Sequence, residues 1–179
     1  MEAWKEQFRE RMQGFAKLYP SKERGEPVSI KIRVESGCYS RSCCPHAYRL
    51  IDEAVAEAET GNVVFALEEH ETGPEILAYV ASGLNFAKAV IELVVSIIKA
   101  RSEGRKKGDK HSEPVTLIYR RVTRNDEIRE ETVLRFNPGD EVDPVKVRKL
   151  LTAAAGKVSD AVEGRRGGGK KSRRRSKGG

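Results

Sequence analysis

The hydrophobic and polar residues of the chain recur with two periods, which predict both helices and strands. Between Trp4 and Leu18 apolar residues return every three or four positions, which indicates an amphipathic helix. The polar side of this helix carries charges of both signs, which favours packing on the protein's own core over binding to a membrane or a partner. Residues 28–35 alternate between apolar and polar side chains, as expected of a strand with one buried face.

The middle of the chain predicts two buried helices with a strand and a short helix between them. Pro45 opens the first helix, because proline suits the first helical turn. Residues 63–67 form a continuous apolar run, which is typical of a central strand covered on both faces. Thr72 and Glu75 have the spacing of a capping box and predict a short helix over 74–82. The helix predicted over 84–102 is apolar nearly all round and should be buried.

The last third of the ordered sequence predicts a hairpin followed by a helix. Two strands, 115–122 and 131–136, are close enough in sequence to pair antiparallel, and Asp143 is placed to cap a helix that begins at Pro144. The order β-α-β-α-β-β-α then predicts an α/β (α+β) domain with a single mixed β-sheet and helices on its faces. Its expected organisation is an N-terminal amphipathic helix, the α/β domain and a disordered basic tail, over residues 1–20, 28–156 and 157–179.

This order and its motifs resemble two known families. Cysteines between the first strand and the following helix, together with Pro114 before the third strand, resemble the thioredoxin fold, which implies thiol-redox chemistry. The C-x-x-C motif of that fold is absent, since four residues separate Cys38 from Cys43. Residues 83–152, with the motifs ELVVSIIKARSEG and PVTLIYRRV, resemble the small effector-associated domains of prokaryotic conflict systems, which implies a protein-binding adaptor.

The net charge of the chain is concentrated in its last residues. Nine of the 34 basic residues but only two of the 27 acidic residues lie in 157–179, so this segment accounts for the net charge of +7. A segment of glycine, serine, lysine and arginine cannot bury apolar surface and is expected to be disordered. It either solubilises the chain or binds nucleic acid through phosphates without base contacts. The residues expected to contact phosphates are Arg165, Arg166, Lys170, Lys171, Arg173, Arg174, Arg175 and Lys177.

Three cysteines and a histidine form the most reactive cluster in the sequence. Cys38, Cys43, Cys44 and His46 lie within nine residues, in a loop that leads into a predicted helix. They are structural residues, ligands of a zinc ion, or redox-active thiols, and the spacing leaves all three interpretations open. For the redox interpretation, we expect Cys38 to pair with Cys43 and Cys44 to point inward. Arg41 and the helix dipole should then stabilise a thiolate at Cys43 or Cys44.

A second group of reactive residues follows the strand predicted over 63–67. Glu69 and Glu71 are candidates for a general acid and base, or for binding a cation together with His70. A solvated strand end is the simpler interpretation. The sequence contains no Walker A, G-x-G-x-x-G or G-x-S-x-G motif that would add a phosphate loop or a nucleophile.

Composition and motifs together predict a non-enzymatic binding or adaptor protein. Its tail is expected to contact nucleic acid, with RNA or a ribonucleoprotein favoured and no membrane partner. The alternatives are a thiol-redox or structural-metal domain of thioredoxin-like layout and a protein-binding adaptor of a conflict system. No cofactor is expected other than zinc in the cysteine loop. A charged N-terminus and an odd number of cysteines predict a cytoplasmic location, and the Glu, Lys and Arg content is typical of a thermophile.

Overall fold

The computed structural model describes residues 3–20, 25–81, 85–110 and 114–159. In this part of the chain, four helices accompany one sheet of six strands, which confirms the predicted fold class with its N-terminal helix. The helices are α1 (Ala3–Leu18), α2 (Pro45–Glu59), α3 (Lys88–Lys106) and α4 (Pro144–Lys157). The strands are β1 (Glu26–Val34), β2 (Phe65–Glu68), β3 (Glu75–Ala81), β4 (Asn85–Phe86), β5 (Val115–Val122) and β6 (Ile128–Phe136).

All strand pairs of the sheet are antiparallel. The strand order is β2–β3–β1–β5–β6, and the short strand β4 pairs with β3. The predicted pairing of a mixed sheet is therefore wrong, because β3 lies between β1 and β2. The two strands that α2 connects are not neighbours, so the adjacent parallel pair of a βαβ unit, expected from a thioredoxin-like layout, does not form.

The segment predicted as a helix over 74–82 is instead the strand β3. Ile76, Ala78 and Val80 face the core beneath α2, α3 and α4, whereas Leu77 and Tyr79 face α1. Because both faces of β3 are covered, residues 76–81 are apolar without interruption. The capping-box spacing of Thr72 and Glu75 therefore predicted the wrong element. The predicted central strand is the edge strand β2, whose residues are only half-buried.

A tight approach between strands explains the sequence just before β3. Gly73 has a φ of 132°, and a Cβ at this position would collide with the carbonyl oxygen of Ile32. The Ile32 amide donates to the Pro74 carbonyl at 3.0 Å, and the Val34 amide donates to the Thr72 carbonyl at 2.9 Å. Residues 72–74 thus continue the pairing with β1, and only glycine fits at position 73.

The helices cover the two faces of the sheet unequally. The main core lies between the sheet and α2, α3 and α4, and it contains the whole apolar side of β1. On the opposite face, α1 packs Phe8, Met12 and Phe15 against Leu77 and Tyr79. The amphipathic N-terminal helix therefore covers the protein's own sheet, and it leaves the adjoining polar part of that face uncovered.

The most apolar helix, α3, lies inside the main core. Val94 and Ile97 are fully buried, and Ile98 is 4% exposed. The helix begins and ends four residues later than the predicted 84–102. Among the helices in the described part of the chain, none combines the length and apolar character that crossing a lipid bilayer requires.

A charge placed in this helix tests its burial. We expect Val94→Asp to abolish cooperative unfolding, because an unpaired carboxylate in the core costs several kcal/mol. The exposed neighbour Lys99 provides the control, since Lys99→Asp adds the same side chain where solvent reaches it. Thermal unfolding followed by circular dichroism measures both variants. A cooperative transition in Val94→Asp near the wild-type temperature would show that this face of α3 is not in the core.

Candidate functional site

The loop between β1 and α2 contains a disulfide. Cys38 and Cys43 are joined, with Cα atoms 6.4 Å apart, and Cys44 is the only free cysteine. Cys44 is 1% exposed and packs in the main core. This arrangement is the pairing that the sequence predicted for a redox-active loop, with Cys44 pointing inward.

The loop is fastened to the core on both sides of the disulfide. Tyr39 is fully buried, and its hydroxyl donates to the Ile97 carbonyl at 2.7 Å. The Tyr48 hydroxyl donates to the Tyr39 carbonyl at 2.9 Å, and Arg101 donates to the Cys38 carbonyl at 3.2 Å. These contacts do not involve the sulfur atoms, so they can hold the loop whether the disulfide is open or closed.

The three sulfur atoms have different surroundings. Cys38 and Cys43 are half-buried, and the Ser40 amide donates to the Cys43 sulfur at 3.2 Å. The Cys44 sulfur lies 3.5 Å from that of Cys43, but burial raises the pKa of the Cys44 thiol, with Arg101 acting in the opposite direction. Of the two cysteines predicted to carry a thiolate, Cys43 is therefore the better placed.

The helix dipole of α2 stabilises a thiolate on the nearby cysteines less strongly than the sequence predicted. Asp109 caps this helix from the loop after α3, with carboxylate oxygens 3.2 Å from the His46 amide and 2.9 Å from the Ala47 amide. The carboxylate offsets part of the helix dipole. Arg41 does not approach the sulfurs as expected, because its guanidinium pairs with Asp52 at 2.7 Å and with Glu69 at 2.5 Å.

The four candidate zinc ligands of this loop do not converge on one point. Two of them, Cys38 and Cys43, are bonded to each other. Within the described ranges, the only group of at least three His, Cys, Asp or Glu side chains with ligand atoms near enough for one ion is Glu68, His70 and Glu75. The cysteine loop in this state is therefore a disulfide site, and a metal there would require the disulfide to open.

The second reactive segment forms a polar cluster under α1. Arg11 directs one guanidinium nitrogen to Glu68 and Glu75, and the same nitrogen lies 3.2 Å from the His70 ring. That nitrogen occupies the position a cation would take between the three side chains. Glu69 and Glu71, predicted as acid and base, are exposed and do not join the cluster. Glu69 pairs with Arg41 instead.

Glu75 is the most deeply buried charge of the cluster, with 1% exposure. Its second oxygen accepts from the Ser29 hydroxyl at 3.0 Å and lies 3.6 Å from a guanidinium nitrogen of Arg120. Burial alone would raise the pKa of Glu75, but His70 and Arg11 lower it to about 2. Glu75 is therefore a charged carboxylate that links α1 to β1, β3 and β5.

Sequence patterns identified His70 but not Arg11, and they placed Glu75 in a helix cap. The pairing of β1 with β3, which places Lys31 opposite Glu75 across the sheet, is visible only in the structure. The predicted phosphate contacts from Arg165 to Lys177 lie outside the described residues.

Comparisons with models of known protein families, with curated proteins and with solved structures find no match for this chain. The function of the protein is therefore inferred from the geometry of its sites and from the distribution of its charge.

The buried carboxylate predicts a component of stability that depends on pH. The pKa of Glu75 is near 2 in the folded protein and 4.5 ordinarily. Between these values the unfolded chain takes up a proton that the folded protein does not, so stability falls as the pH is lowered. We expect a loss of about 3 kcal/mol from this group.

Urea unfolding of wild type and Glu75→Gln between pH 6 and pH 2.5 measures this component. Glu75→Gln should be less stable at pH 6, and the difference should shrink towards pH 2.5. Glu53→Gln, which changes an exposed carboxylate of α2, should follow the wild-type profile. A constant difference between Glu75→Gln and wild type across this pH range would contradict the assignment.

Proposed function

We propose that the protein is a thiol–disulfide redox protein in which Cys38 and Cys43 open and close reversibly. The disulfide between them, in a loop whose backbone is held by other contacts, is the observation that supports this proposal. Both sulfurs are half-buried at the surface, where a small oxidant or reductant can reach them. In the cytoplasm, the location proposed for this chain, disulfides are usually transient and serve catalysis or redox sensing.

The proposed chemistry is exchange with a low-molecular-weight disulfide. The Cys43 thiolate attacks one sulfur of that disulfide, forms a mixed disulfide and releases the first small thiol. The Cys38 thiol then loses its proton and attacks the Cys43 sulfur, which releases the second small thiol. One small disulfide is reduced to two thiols, and the protein dithiol is oxidised to the disulfide. The Ser40 amide stabilises the attacking thiolate of Cys43.

Cysteine substitutions test this proposal. In a buffer of oxidised and reduced glutathione, the wild type should convert reversibly between one and three alkylatable thiols, counted by mass spectrometry. Cys38→Ser and Cys43→Ser should prevent the intramolecular disulfide. They should also lower the free energy of unfolding of the oxidised protein by about 2 kcal/mol, the entropy of closing so short a loop.

Cys44→Ala is the matched control, because Cys44 is adjacent to the pair and outside the bond. It should keep the disulfide and its reversible reduction. Three reactive thiols at every glutathione ratio in the wild type would exclude a redox function for this loop. A disulfide that also forms in Cys43→Ser would exclude the pairing.

A second function, binding of nucleic acid through the basic tail, is favoured by the charge pairing of the folded part. Residues 1–156 hold 25 basic and 25 acidic residues and so carry no net charge, and seven described arginines face a carboxylate within 4.0 Å. They are Arg9, Arg11, Arg41, Arg120, Arg121, Arg129 and Arg135. The tail from residue 157 carries the whole net charge of +7. We propose that it contacts phosphates of RNA or a ribonucleoprotein and that the folded domain acts as an adaptor.

Truncation of the tail tests the second function. α4 ends at Lys157 and Val158 is 7% exposed, so a chain ending at Ser159 keeps the fold intact. This truncation removes all eight basic residues from Arg165 to Lys177. It should abolish RNA binding and most of its salt dependence, because each phosphate contact contributes about −0.7 to −0.9 to the logarithmic salt slope. Fluorescence anisotropy with single-stranded RNA at several salt concentrations measures both quantities.

Two full-length variants separate charge from sequence. Replacing the eight basic residues with glutamine should match the truncation. A tail with the same residues in scrambled order should bind like the wild type, since phosphate contacts carry no sequence information. If the truncated chain binds RNA as tightly as the wild type, the RNA-binding residues lie in the folded domain and the proposal for the tail is wrong.

A further inference from the structure

An open cleft lies beside α1, over the part of the sheet that this helix leaves uncovered. Its volume is about 700 Å³. Its floor carries basic side chains from two strands, Lys31 and Arg33 of β1 and Arg120 of β5. Trp4, at the start of α1, lines one side and is 46% exposed.

Lys31 is buried here without a counter-ion. The residue is 4% exposed, and its ammonium donates to the Gly73 carbonyl at 2.6 Å. No carboxylate of the described residues lies within 4.0 Å of that ammonium, although Glu75 is its cross-strand neighbour. The ammonium therefore bonds to a neutral carbonyl, and the charge of Glu75 acts on it from beyond contact distance, which leaves the burial of this charge incompletely offset.

The charges around the cleft act on the pKa of Lys31 in both directions. Burial and the charges of Arg120, Arg11 and Arg33 lower this pKa, Glu75 raises it, and together they bring it to about 8. The side chain is therefore still mostly protonated at pH 7. An anion entering the cleft would supply the charge that the fold does not.

Two of the three acidic residues that line the cleft pair with other cations. Glu75 pairs with Arg11, and Glu130 pairs with Arg120 at 2.8 Å, whereas Glu10 is exposed and forms no ion pair with the described residues. Arg33, like Lys31, has no carboxylate of the described residues within 4.0 Å. The two cations stand two positions apart on β1 and so project from the same face, roughly 7 Å apart. This spacing suits one oxyanion between two donors.

We propose that the cleft binds a small organic anion whose phosphate or carboxylate group bridges Lys31 and Arg33 while its apolar part packs on Trp4. The Trp4 ring is held at the rim by Arg120, whose guanidinium carbon lies 5.6 Å from the ring centroid. A concave site with an aromatic wall and a few converging charged groups has the form of a small-molecule site. The proposal is independent of the cysteine loop and of the basic tail.

Trp4 provides a direct readout, because it is the only tryptophan of the chain. The full-length protein is titrated with phenyl phosphate and with benzoate, at an ionic strength held constant with chloride. Tryptophan fluorescence should change saturably with one or both anions, and the tighter of the two identifies the oxyanion. Lys31→Met and Arg33→Gln should each weaken binding by at least about tenfold, the loss expected for one charge-assisted hydrogen bond.

Lys88→Met is the matched control, because Lys88 is exposed on α3 and pairs with Glu92 away from the cleft. It should titrate like the wild type. Lys31→Met should unfold at or above the wild-type temperature, since it replaces a buried charge with an apolar chain of similar length. If Lys31→Met does not fold, the affinity of Arg33→Gln for the two anions tests the proposal. Fluorescence that does not saturate with either anion, or equal affinity in wild type and the cleft variants, would overturn the proposal.

Discussion

The buried carboxylate of Glu75 organises one whole face of the sheet. It accepts from Ser29 on β1, lies beside Arg120 of β5, and pairs with Arg11 of α1. A charged carboxylate is stable in such a place only if its oxygens are paired, and these partners come from three separate elements. The position of α1 on the sheet, and with it the cleft beside the helix, therefore depends on this one ionised side chain.

The C-terminal end of β1 leads into the disulfide loop, which is held by a different set of contacts. Tyr39, Tyr48 and Arg101 hydrogen-bond to backbone carbonyls, and Asp109 caps the helix that follows. The covalent bond is thus added to a loop that the fold already holds. A pair held in this way can be oxidised and reduced while the core stays packed, which is what a reversible redox site requires.

Both proposed sites of the folded part adjoin β1, but their proposed chemistries are distinct. The proposal for the cysteine loop is exchange of electrons and protons at two sulfurs, whereas the proposal for the cleft is binding of an anion between two cations. The tail would add a third kind of contact, a salt-sensitive attraction to phosphates. Lys31 and Arg33 have no carboxylate of the described residues within 4.0 Å, and Glu75 acts on Lys31 only from beyond that distance.

The sequence by itself determined many of the local elements. The period of two in β1, the hairpin of β5 and β6, and the Asp143 cap of α4 were readable because neighbours in the chain create those signals. The pairing of Cys38 with Cys43 was predicted only for the case in which the loop is redox-active, and the structure contains that disulfide. Only the tertiary structure decided that residues 75–81 form a strand. The apolar run of this strand arises because helices pack against both of its faces. It alone brought Lys31, Glu75 and Arg11 together, since antiparallel pairing across more than forty residues leaves no local pattern in the chain.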